Sequence, residues 1–323
     1  TGDFLKAVEP VFKTYIDPIA ARRMSRLIKM GISSAKICLQ DAGIGMPDAI
    51  ITGTGLGSVE DTEKILAELT LEGKFLNPTP FIQSTYNTIS SQIAIALKCH
   101  EYNSTYVHRC FSLESCLIDA LLQLGEGSAV NVLAGGIDEM TMNHLTIIRR
   151  LGIWKREAIR NLDLWSCGTP GAVAGEGSAY FIISGEKNDH TYARLVAAGT
   201  LYKPGSASET ATLVTSFLNE NGLSHDEIDL VMMGNNGYAE NDRICEEIVS
   251  LALPHTARVM YKHLCGEYHT VSGFALFVAA GILKKQFIPS SLVVQSAAPK
   301  KIENILIHNH YRNTDHALIL VRK

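Results

Sequence analysis

A cysteine at the start of a predicted helix is the residue of this chain best placed for covalent chemistry. Cys110 follows a short apolar run at residues 105–107, which indicates a buried strand. It precedes apolar residues with helical spacing, at positions 113, 116, 117, 120, 121 and 124. Backbone N–H groups and the positive end of a helix dipole favour a thiolate at such a turn. The pattern therefore makes Cys110 a candidate nucleophile.

The residues around this helix define its limits. Ser112 is a suitable N-cap, and Gly125 ends the apolar pattern. A second buried strand is predicted at residues 130–134 and leads into a Gly-Gly pair. Another cysteine, Cys116, lies on the apolar face of the helix, which indicates packing. Taken alone, a cysteine in this setting is more often a core residue than a nucleophile, so both interpretations of Cys110 stay open here.

A resemblance to a protein family favours the interpretation of Cys110 as a nucleophile. The run CFS…GEGSAVNVLAGG, from Cys110 to Gly136, resembles the nucleophile elbow of the β-ketoacyl synthases, which are thiolase-fold condensing enzymes. In that family the active cysteine begins a buried helix, and the next strand ends in a Gly-Gly pair. The match has no gap and implies that the nucleophile is Cys110 rather than Cys116. The resemblance covers about residues 18–320.

The order of predicted elements is consistent with two similar halves. The polar segment at residues 185–190 looks like a junction, and residues 193–261 then repeat a strand–helix–strand–helix–strand order. With the resemblance, this predicts an α/β, thiolase-like five-layer αβαβα fold with two pseudo-repeated halves. We expect an N-terminal half at residues 1–188, carrying the nucleophile elbow, and a C-terminal half at 189–323. The family's first strand has no counterpart here, which implies a truncated or divergent beginning.

The resemblance breaks at both catalytic histidines of the family. Those histidines assist departure of the malonyl carboxylate and stabilise the developing enolate oxygen. The first histidine position falls on Gly234 or, with a shift of one residue, on Asn235. The second falls on Glu267, although Lys262 matches the family's lysine and Gly266 its glycine. The chain therefore resembles a divergent member of the family that lacks both imidazoles.

A third landmark, the family's Gly-Phe-Gly-Gly-Thr-Asn loop, is also changed. Tyr311 falls at the gating phenylalanine and Thr314 keeps the threonine, while the glycines are replaced. The resemblance implies an oxyanion hole formed by the backbone N–H groups of Cys110 and Tyr311, with Lys262 orienting or charge-balancing the site. The predicted substitutes for the missing acid–base groups are His269, His310 and Asn235, with Glu267 as a possible general base because burial raises the pKa of a carboxyl group.

Charge and composition exclude several other classes of function. A net charge of −4 and a pI near 6.3 indicate no basic surface for nucleic acid. No apolar run is long enough to span a membrane, and no signal peptide is recognisable. The seven cysteines show no paired spacing, which favours reduced thiols, a cytoplasmic location and no zinc site. The strictly alternating Gly53, Gly55 and Gly57 favour a tight turn over a dinucleotide site.

Two segments are candidates for a pocket and for a docking surface. Phe81, Ile82 and Tyr86 lie where the family places its dimer contact and part of its acyl pocket, with ordinary core as the alternative. A basic cluster suits an acidic carrier protein or a phosphopantetheine phosphate, although a solvated helix face is the commoner explanation. That cluster comprises Arg149, Arg150, Lys155, Arg156 and Arg160.

The predicted function is that of a 3-oxoacyl-acyl-carrier-protein synthase, in which Cys110 accepts an acyl group for carbon–carbon condensation. The expected partners are an acyl carrier protein and its acyl and malonyl thioesters. No cofactor is expected to be bound, since phosphopantetheine arrives on the carrier. The alternatives are a non-catalytic, chain-length-factor-like subunit of a ketosynthase heterodimer and a hydrolase of acyl thioesters that uses Glu267.

A dimer is expected for the first two of these functions, either with an identical chain or with a paralogue. The strand at residues 105–107 would pair across its two-fold axis. Fatty acid, polyketide and pigment pathways all remain open.

Overall fold

The computed structural model describes residues 4–70, 77–295 and 299–323, and the strands of these residues form two sheets. The first sheet contains β1 (Ala49–Gly53), β2 (Tyr102–Tyr106), β3 (Asn131–Asp138) and β4 (Gly177–Ser184), in the order β2-β1-β3-β4. The second contains β5 (Arg194–Tyr202), β6 (Leu230–Met233), β7 (Ala257–Met260), β8 (Val293–Gln295), β9 (Asn304–Tyr311) and β10 (Asp315–Arg322). Its order is β5-β10-β9-β6-β7-β8.

The helices of the same residues pack on both faces of these sheets. They are α1 (Pro18–Ala21), α2 (Arg26–Ala42), α3 (Val59–Leu69), α4 (Pro78–Gln83), α5 (Thr88–Leu97), α6 (Ser112–Gly125), α7 (Met142–Arg150), α8 (Ala207–Glu220), α9 (Ala239–Ala252), α10 (Lys262–Cys265) and α11 (Ser272–Lys285). None of the described helices is both long enough and apolar enough to cross a membrane.

The helices and sheets stack in five layers. Helices α2 and α5 cover the outer face of the first sheet, and α8 and α9 cover the outer face of the second. Helices α6 and α11 lie between the sheets, since α6 contacts strands of both and α11 contacts β4, β9 and β10. The five-layer αβαβα arrangement predicted from the sequence is confirmed.

The two sheets share one pairing pattern. Strand β1 is parallel to β2 and β3, and β4 is antiparallel to β3. Likewise β6 is parallel to β7 and β9, and β10 is antiparallel to β9. The second sheet continues with β5, which is antiparallel to β10. Within the described ranges, β4 has no corresponding strand at its free edge.

The first sheet is buried on both faces, so its central strands are apolar throughout. In β1, Ile50 packs outward against α2 and α5, whereas Ala49 and Ile51 pack inward against α6. Cys116 belongs to this inner cluster, is fully buried and donates a hydrogen bond to the backbone oxygen of Ser112. Its predicted packing role is confirmed.

Two predictions of burial are wrong. The strand predicted at residues 105–107 ends at Tyr106 and is an edge strand with exposed or half-buried side chains, because only β1 pairs with it. Phe81, Ile82 and Tyr86 are 61%, 62% and 47% exposed, so they do not belong to the core of this chain. Phe81 and Ile82 lie on α4, which contacts α3 at the surface, and Tyr86 follows this helix.

Candidate functional site

The site forms where strands of the two sheets end on the same side of the central helical layer. The turn that carries Cys110 follows β2 and contacts the start of β10 in the second sheet. From the second sheet, Lys262 follows β7, and Tyr311 ends β9. Functional residues commonly lie at the carboxyl ends of parallel strands, because the connecting loops gather there.

Cys110 lies in a single 3₁₀ turn, Arg109–Phe111, directly before α6. The turn is sharp, with Arg109 at φ +50° and the Phe111 N–H donating to the His108 carbonyl over 3.0 Å. The thiol is only 5% exposed. Burial raises the pKa of Cys110, and the negative charges of Asp315 and Glu114 raise it further. The surroundings of Cys110 therefore favour the neutral thiol over the thiolate expected from the helix terminus.

Ser112 does not cap the helix as predicted, because α6 begins at Ser112 itself. Its hydroxyl instead accepts a hydrogen bond from the His108 N–H and can donate to the Arg109 carbonyl at 2.7 Å or the Thr54 carbonyl at 2.9 Å. The contact with Thr54 ties the cysteine turn to the end of β1. Ser112 thus positions Cys110 relative to the first sheet.

Lys262 and Glu267 form a buried ion pair. The Lys262 ammonium lies 2.7 Å from Glu267 Oε2, and their side chains are 1% and 3% exposed. The same carboxylate oxygen accepts a hydrogen bond from the side-chain amide of Asn236 over 2.8 Å. The Glu267 backbone bridges to Val173 and Gly175 of the first half. Two predicted residues are therefore brought together, as a fixed pair rather than as separate groups.

Tyr311 lies near both Glu267 and Cys110, whose charges act on it, and His269 packs beside Tyr311. Their ring centroids are 5.5 Å apart, and the His269 side chain packs against the backbone of Gly55. A Cβ at Gly55 would lie 2.3 Å from the His269 ring, so only glycine fits there. Burial raises the pKa of the Tyr311 hydroxyl, as do the charges of Glu267 and Cys110. His269 is thus the predicted substitute imidazole that lies in the site.

Neither of the other two predicted substitutes makes a hydrogen bond with Glu267, although His310 lies close enough to Lys262 for the lysine charge to act on it. Asn235 donates to Glu246 over 3.2 Å, and it is the next residue, Asn236, that reaches Glu267. His310 is buried in β9, and neither of its ring nitrogens has a hydrogen-bond partner within the described chain. Burial holds the pKa of His310 well below its ordinary value, so the ring is neutral. Neither residue lines the pocket beside Glu267.

The hairpin between β9 and β10 retains the backbone of a glycine turn without its glycines. Arg312 and Asn313 adopt φ of +55° and +53°, the left-handed region that glycine prefers. The side-chain amide of Asn313 donates to the Asn241 carbonyl over 3.2 Å, which anchors the turn on α9. Arg312 is exposed.

A small pocket of about 80 Å³ opens beside Glu267 and Tyr311. Most of its other lining residues come from the segment after α7 and from the loop before α9. These residues are Leu151, Gly152, Ile153, Trp154, Ala172, Asn236, Tyr238, Asn241 and Arg312. Cys110 does not line it, although Tyr311, which does, lies close enough for their charges to interact. Tyr311 therefore lines the pocket and also lies near the thiol.

Two buried carboxyl groups near the site were not predicted from the sequence. Asp138, at the end of β3, accepts from the Gly55 N–H over 2.7 Å and from the Thr270 N–H and hydroxyl over 2.8 Å each. It thereby fixes both segments that hold His269. Glu114 is fully buried in α6 and accepts from the Ser272 hydroxyl over 2.5 Å. The signal for Asp138 was its position two residues after the Gly-Gly pair that ends the predicted buried strand.

Comparison with known proteins places these features in context. Residues 2–188 match the model of the beta-ketoacyl synthase N-terminal domain. No curated protein sequence matches the chain.

Three solved structures share the fold at 16% sequence identity. The ishigamide ketosynthase/chain length factor aligns with a TM-score of 0.82 over 98% of this chain and 87% of its own. A beta-ketoacyl synthase from Burkholderia phymatum STM815 aligns at 0.78, over 98% and 86%. A type II PKS acyl-carrier protein in complex with its ketosynthase gives 0.77, over 92% of this chain and 84% of that one.

Proposed function

Because the chain belongs to the β-ketoacyl synthase family and has its thiolase-like fold, we propose that it is an acyltransferase of the 3-oxoacyl-acyl-carrier-protein synthase type. Cys110 takes an acyl group from a carrier-bound thioester, and the acyl group is then condensed with a malonyl unit. The observation that carries this proposal is the convergence of the Cys110 turn, Tyr311 and His269 beside the Lys262–Glu267 pair.

The buried thiol sets the requirement for the acylation step. Since the resting group is the neutral thiol, its proton must leave as the sulfur attacks the thioester carbonyl. His269 is the proposed acceptor, because it contacts Gly55 and Tyr311 and its Nδ1 is buried without a partner among the described residues. The new S–C bond replaces the bond to the pantetheine sulfur, which leaves as a thiol with that proton.

The negative oxygen of the tetrahedral intermediate needs donors. We assign this role to the backbone N–H groups of Cys110 and Tyr311, as the family resemblance implies. Tyr311 would admit the acyl chain by moving away from the thiol, since it lines the pocket and lies near Cys110, which does not line it.

Lys262 and Glu267 replace the second imidazole of the family in this proposal. The ammonium is held 2.7 Å from Glu267, whose charge balances it, so it would stabilise a developing enolate once Glu267 is protonated or turns away. Asn236 holds the carboxylate in place. Decarboxylation would then depend on charge rather than on imidazole donors.

An acyl carrier protein is the proposed partner. Arg109 and Arg312 are exposed and both lie near Tyr311, so they place positive charge at the mouth of the site. One structural neighbour is a ketosynthase in complex with its acyl-carrier protein. The free edge of β2 and the exposed Phe81 and Ile82 are the proposed contact with a second subunit.

A second candidate function is a chain-length-factor-like subunit without catalysis of its own. It is favoured by the burial of Cys110, which does not line the pocket. Another structural neighbour is a ketosynthase/chain length factor.

A condensation assay separates these functions. The purified chain, alone, is incubated with an acyl-loaded and a malonyl-loaded carrier protein, and the products are identified by mass. We expect a 3-oxoacyl carrier from the wild type and none from Cys110→Ala. If product forms only when a ketosynthase is added, and if Cys110→Ala changes the acyl chain length of that product as the wild type does, this protein is a partner subunit. Rapid release of free acid would instead identify a hydrolase.

A further inference from the structure

A buried ammonium group outside the site is fully satisfied by neutral acceptors. Lys155 was predicted to belong to a basic surface cluster, but it is only 4% exposed, so this prediction is wrong. Its Nζ donates to the Thr169 carbonyl over 2.7 Å, to the Thr169 hydroxyl over 3.0 Å and to the Gly237 carbonyl over 3.0 Å. These bonds use all three of its donors, so Lys155 joins two segments and has no donor left for a ligand.

Three histidines of the β9–β10 hairpin are buried together. His308 and His310 lie on one face of β9, and His316 of β10 lies directly opposite His310. Each of the three is 1% exposed. The stacked rings of His308 and His316 have centroids 5.4 Å apart, and those of His310 and His316 are 6.2 Å apart. These imidazoles form one histidine cluster, which the mechanism proposed above does not use.

The histidine cluster lies on the outer face of the second sheet, beneath α9. Leu306 and Leu318, on the same face of the hairpin, belong to the apolar cluster formed with α8 and α9. Cys245 of α9 belongs to it too, and its sulfur lies 4.0 Å from His308 Nδ1. The imidazoles are therefore enclosed between the sheet and a helix, where water does not solvate them.

Hydrogen bonds fix the neutral form of two of the rings. His316 Nε2 lies 3.2 Å from the Asn313 carbonyl, which can only accept, so Nε2 carries the proton. The Nδ1 of this neutral ring is then an acceptor, and His308 Nε2 donates to it over 3.1 Å. Since Asn313 lies in the turn of the hairpin, the two rings tie that turn to β9.

Protonation acts against this arrangement. One added proton places an imidazolium in a buried pair, and a second leaves two N–H groups facing each other across 3.1 Å. Neither ring nitrogen of His310 has a hydrogen-bond partner within the described chain, so a cation there would lack an acceptor as well. The cluster is therefore stable only while its rings are neutral.

Burial and one nearby cation also keep the rings neutral. Burial lowers the pKa of each of the three histidines, to about 3 for His308. The charge of Lys262, at the start of α10, lowers the pKa of His308 and His310 further. For His316 the hydrogen bond to the turn and the charge of Asp315 oppose the effect of burial, yet its pKa is still lowered.

The other elements packed against the cluster bring few charges to it. On α9, burial raises the pKa of the Cys245 thiol, and the charges of Asp242 and Glu246 act in the same direction, so the thiol is neutral. The neighbouring strands place apolar residues in register with the histidines, Leu201 of β5 beside His316 and Met233 of β6 beside His308.

We propose that the histidine cluster is a pH-sensitive lock, which holds the β9–β10 hairpin and its Tyr311 in place at neutral pH and releases them as the pH falls. In an opened hairpin each histidine takes up a proton near its ordinary pKa of about 6.5. Because the open form binds more protons, the lock is strongest above that pH and weakens below it. Tyr311 and Arg312 line the pocket, so release of the turn changes the pocket wall. The proposal does not depend on the activity of Cys110.

The test is hydrogen exchange of the full chain, measured by mass spectrometry at about pH 7.5 and about pH 5. Exchange rates of peptides from β9 and β10 are divided by the intrinsic rate at each pH, which gives the equilibrium for opening. We expect opening of the hairpin to increase about thirtyfold for each histidine that stays neutral in the closed form. Peptides from β3 are the internal reference and should change much less. No increase in the hairpin, or an equal increase in β3, would overturn the proposal.

A variant separates the lock from general effects of acid. In His308→Gln, the side-chain amide can still donate to His316 but takes up no proton in this pH range. The increase in opening between the two pH values should therefore be about thirtyfold smaller than in the wild type. His100→Gln, at an exposed histidine, is the matched control and should behave as the wild type does. An unchanged increase in His308→Gln would contradict the role of the cluster.

A measurement on the wild type covers the case in which His308→Gln disturbs folding. Nitrogen-15 spectra of the histidine side chains report which ring nitrogens carry protons. The rings of His308 and His316 should both be neutral, with the proton on Nε2, at pH values where exposed histidines are already charged. Titration of these two rings together with the exposed ones would overturn the proposal.

Discussion

Removing one member of the buried Lys262–Glu267 pair should destabilise the protein strongly. In Lys262→Met, the Glu267 carboxylate keeps only the 2.8 Å hydrogen bond from Asn236 and loses the ammonium at 2.7 Å. The carboxylate is only 3% exposed, so the loss of the ammonium leaves a largely desolvated charge. Breaking a buried pair in this way costs about 3–5 kcal/mol of unfolding free energy.

The double variant Lys262→Met/Glu267→Gln should recover most of that loss. Neither side chain is then charged, and glutamine can still accept the hydrogen bond from Asn236, so the desolvated charge is gone. Unfolding in urea, followed by circular dichroism, measures the free energies and their coupling. Arg243→Gln, in the exposed Arg243–Glu247 pair, is the matched control and should leave the midpoint nearly unchanged.

A small effect would refute the reasoning. A loss of less than about 1 kcal/mol of unfolding free energy in Lys262→Met, as for a surface ion pair, would show that the two groups do not form a buried pair. The same conclusion would follow if the double variant lost as much stability as Lys262→Met and Glu267→Gln together.

Three further predictions concern the surrounding residues. Burial raises the pKa of Glu114 in the folded state from 4.5 to about 7, whereas the unfolded chain loses this proton at the lower pH. The free energy of unfolding should therefore fall by up to about 3 kcal/mol as the pH rises from 4.5 to about 7. In urea titrations at several pH values, Glu114→Gln should remove this pH dependence. Arg312→Gly relieves a φ of +55° and should add about 0.5–1 kcal/mol of stability, measured by thermal unfolding, with Arg312→Ala giving none. Asp138→Asn loses charge-assisted hydrogen bonds from Gly55 and Thr270 and should lower the free energy of unfolding by about 2–4 kcal/mol. An unchanged melting temperature would show that these bonds do not hold the segments around His269.

The elements of the fold were predictable because their apolar patterns are strong and local. The apolar stripe of α6 follows from periodicity alone. The gapless run from Cys110 to Gly136 then placed the cysteine turn and β3 correctly relative to each other.

Side-chain directions at the strand ends were less predictable, because a shift of one position along the chain reverses the direction in which a side chain points. Asn235 and Asn236 are adjacent and identical in type, and only the fold shows that Asn236 reaches Glu267. Burial of polar residues also depends on contacts far apart in sequence. Lys155 is held by Gly237, 82 positions away, and this contact has no local signal.

The most direct test of the central claim is the intact mass of the protein after incubation with an acyl-loaded carrier protein. Wild type and Cys167→Ser should both gain the mass of one acyl group, and Cys110→Ala should gain none. Cys167→Ser shows that the adduct is not carried by Cys167, a partly exposed thiol whose pKa is lowered. An adduct that persists in Cys110→Ala, or a wild type that gains no mass, would contradict the assignment of Cys110 as the nucleophile.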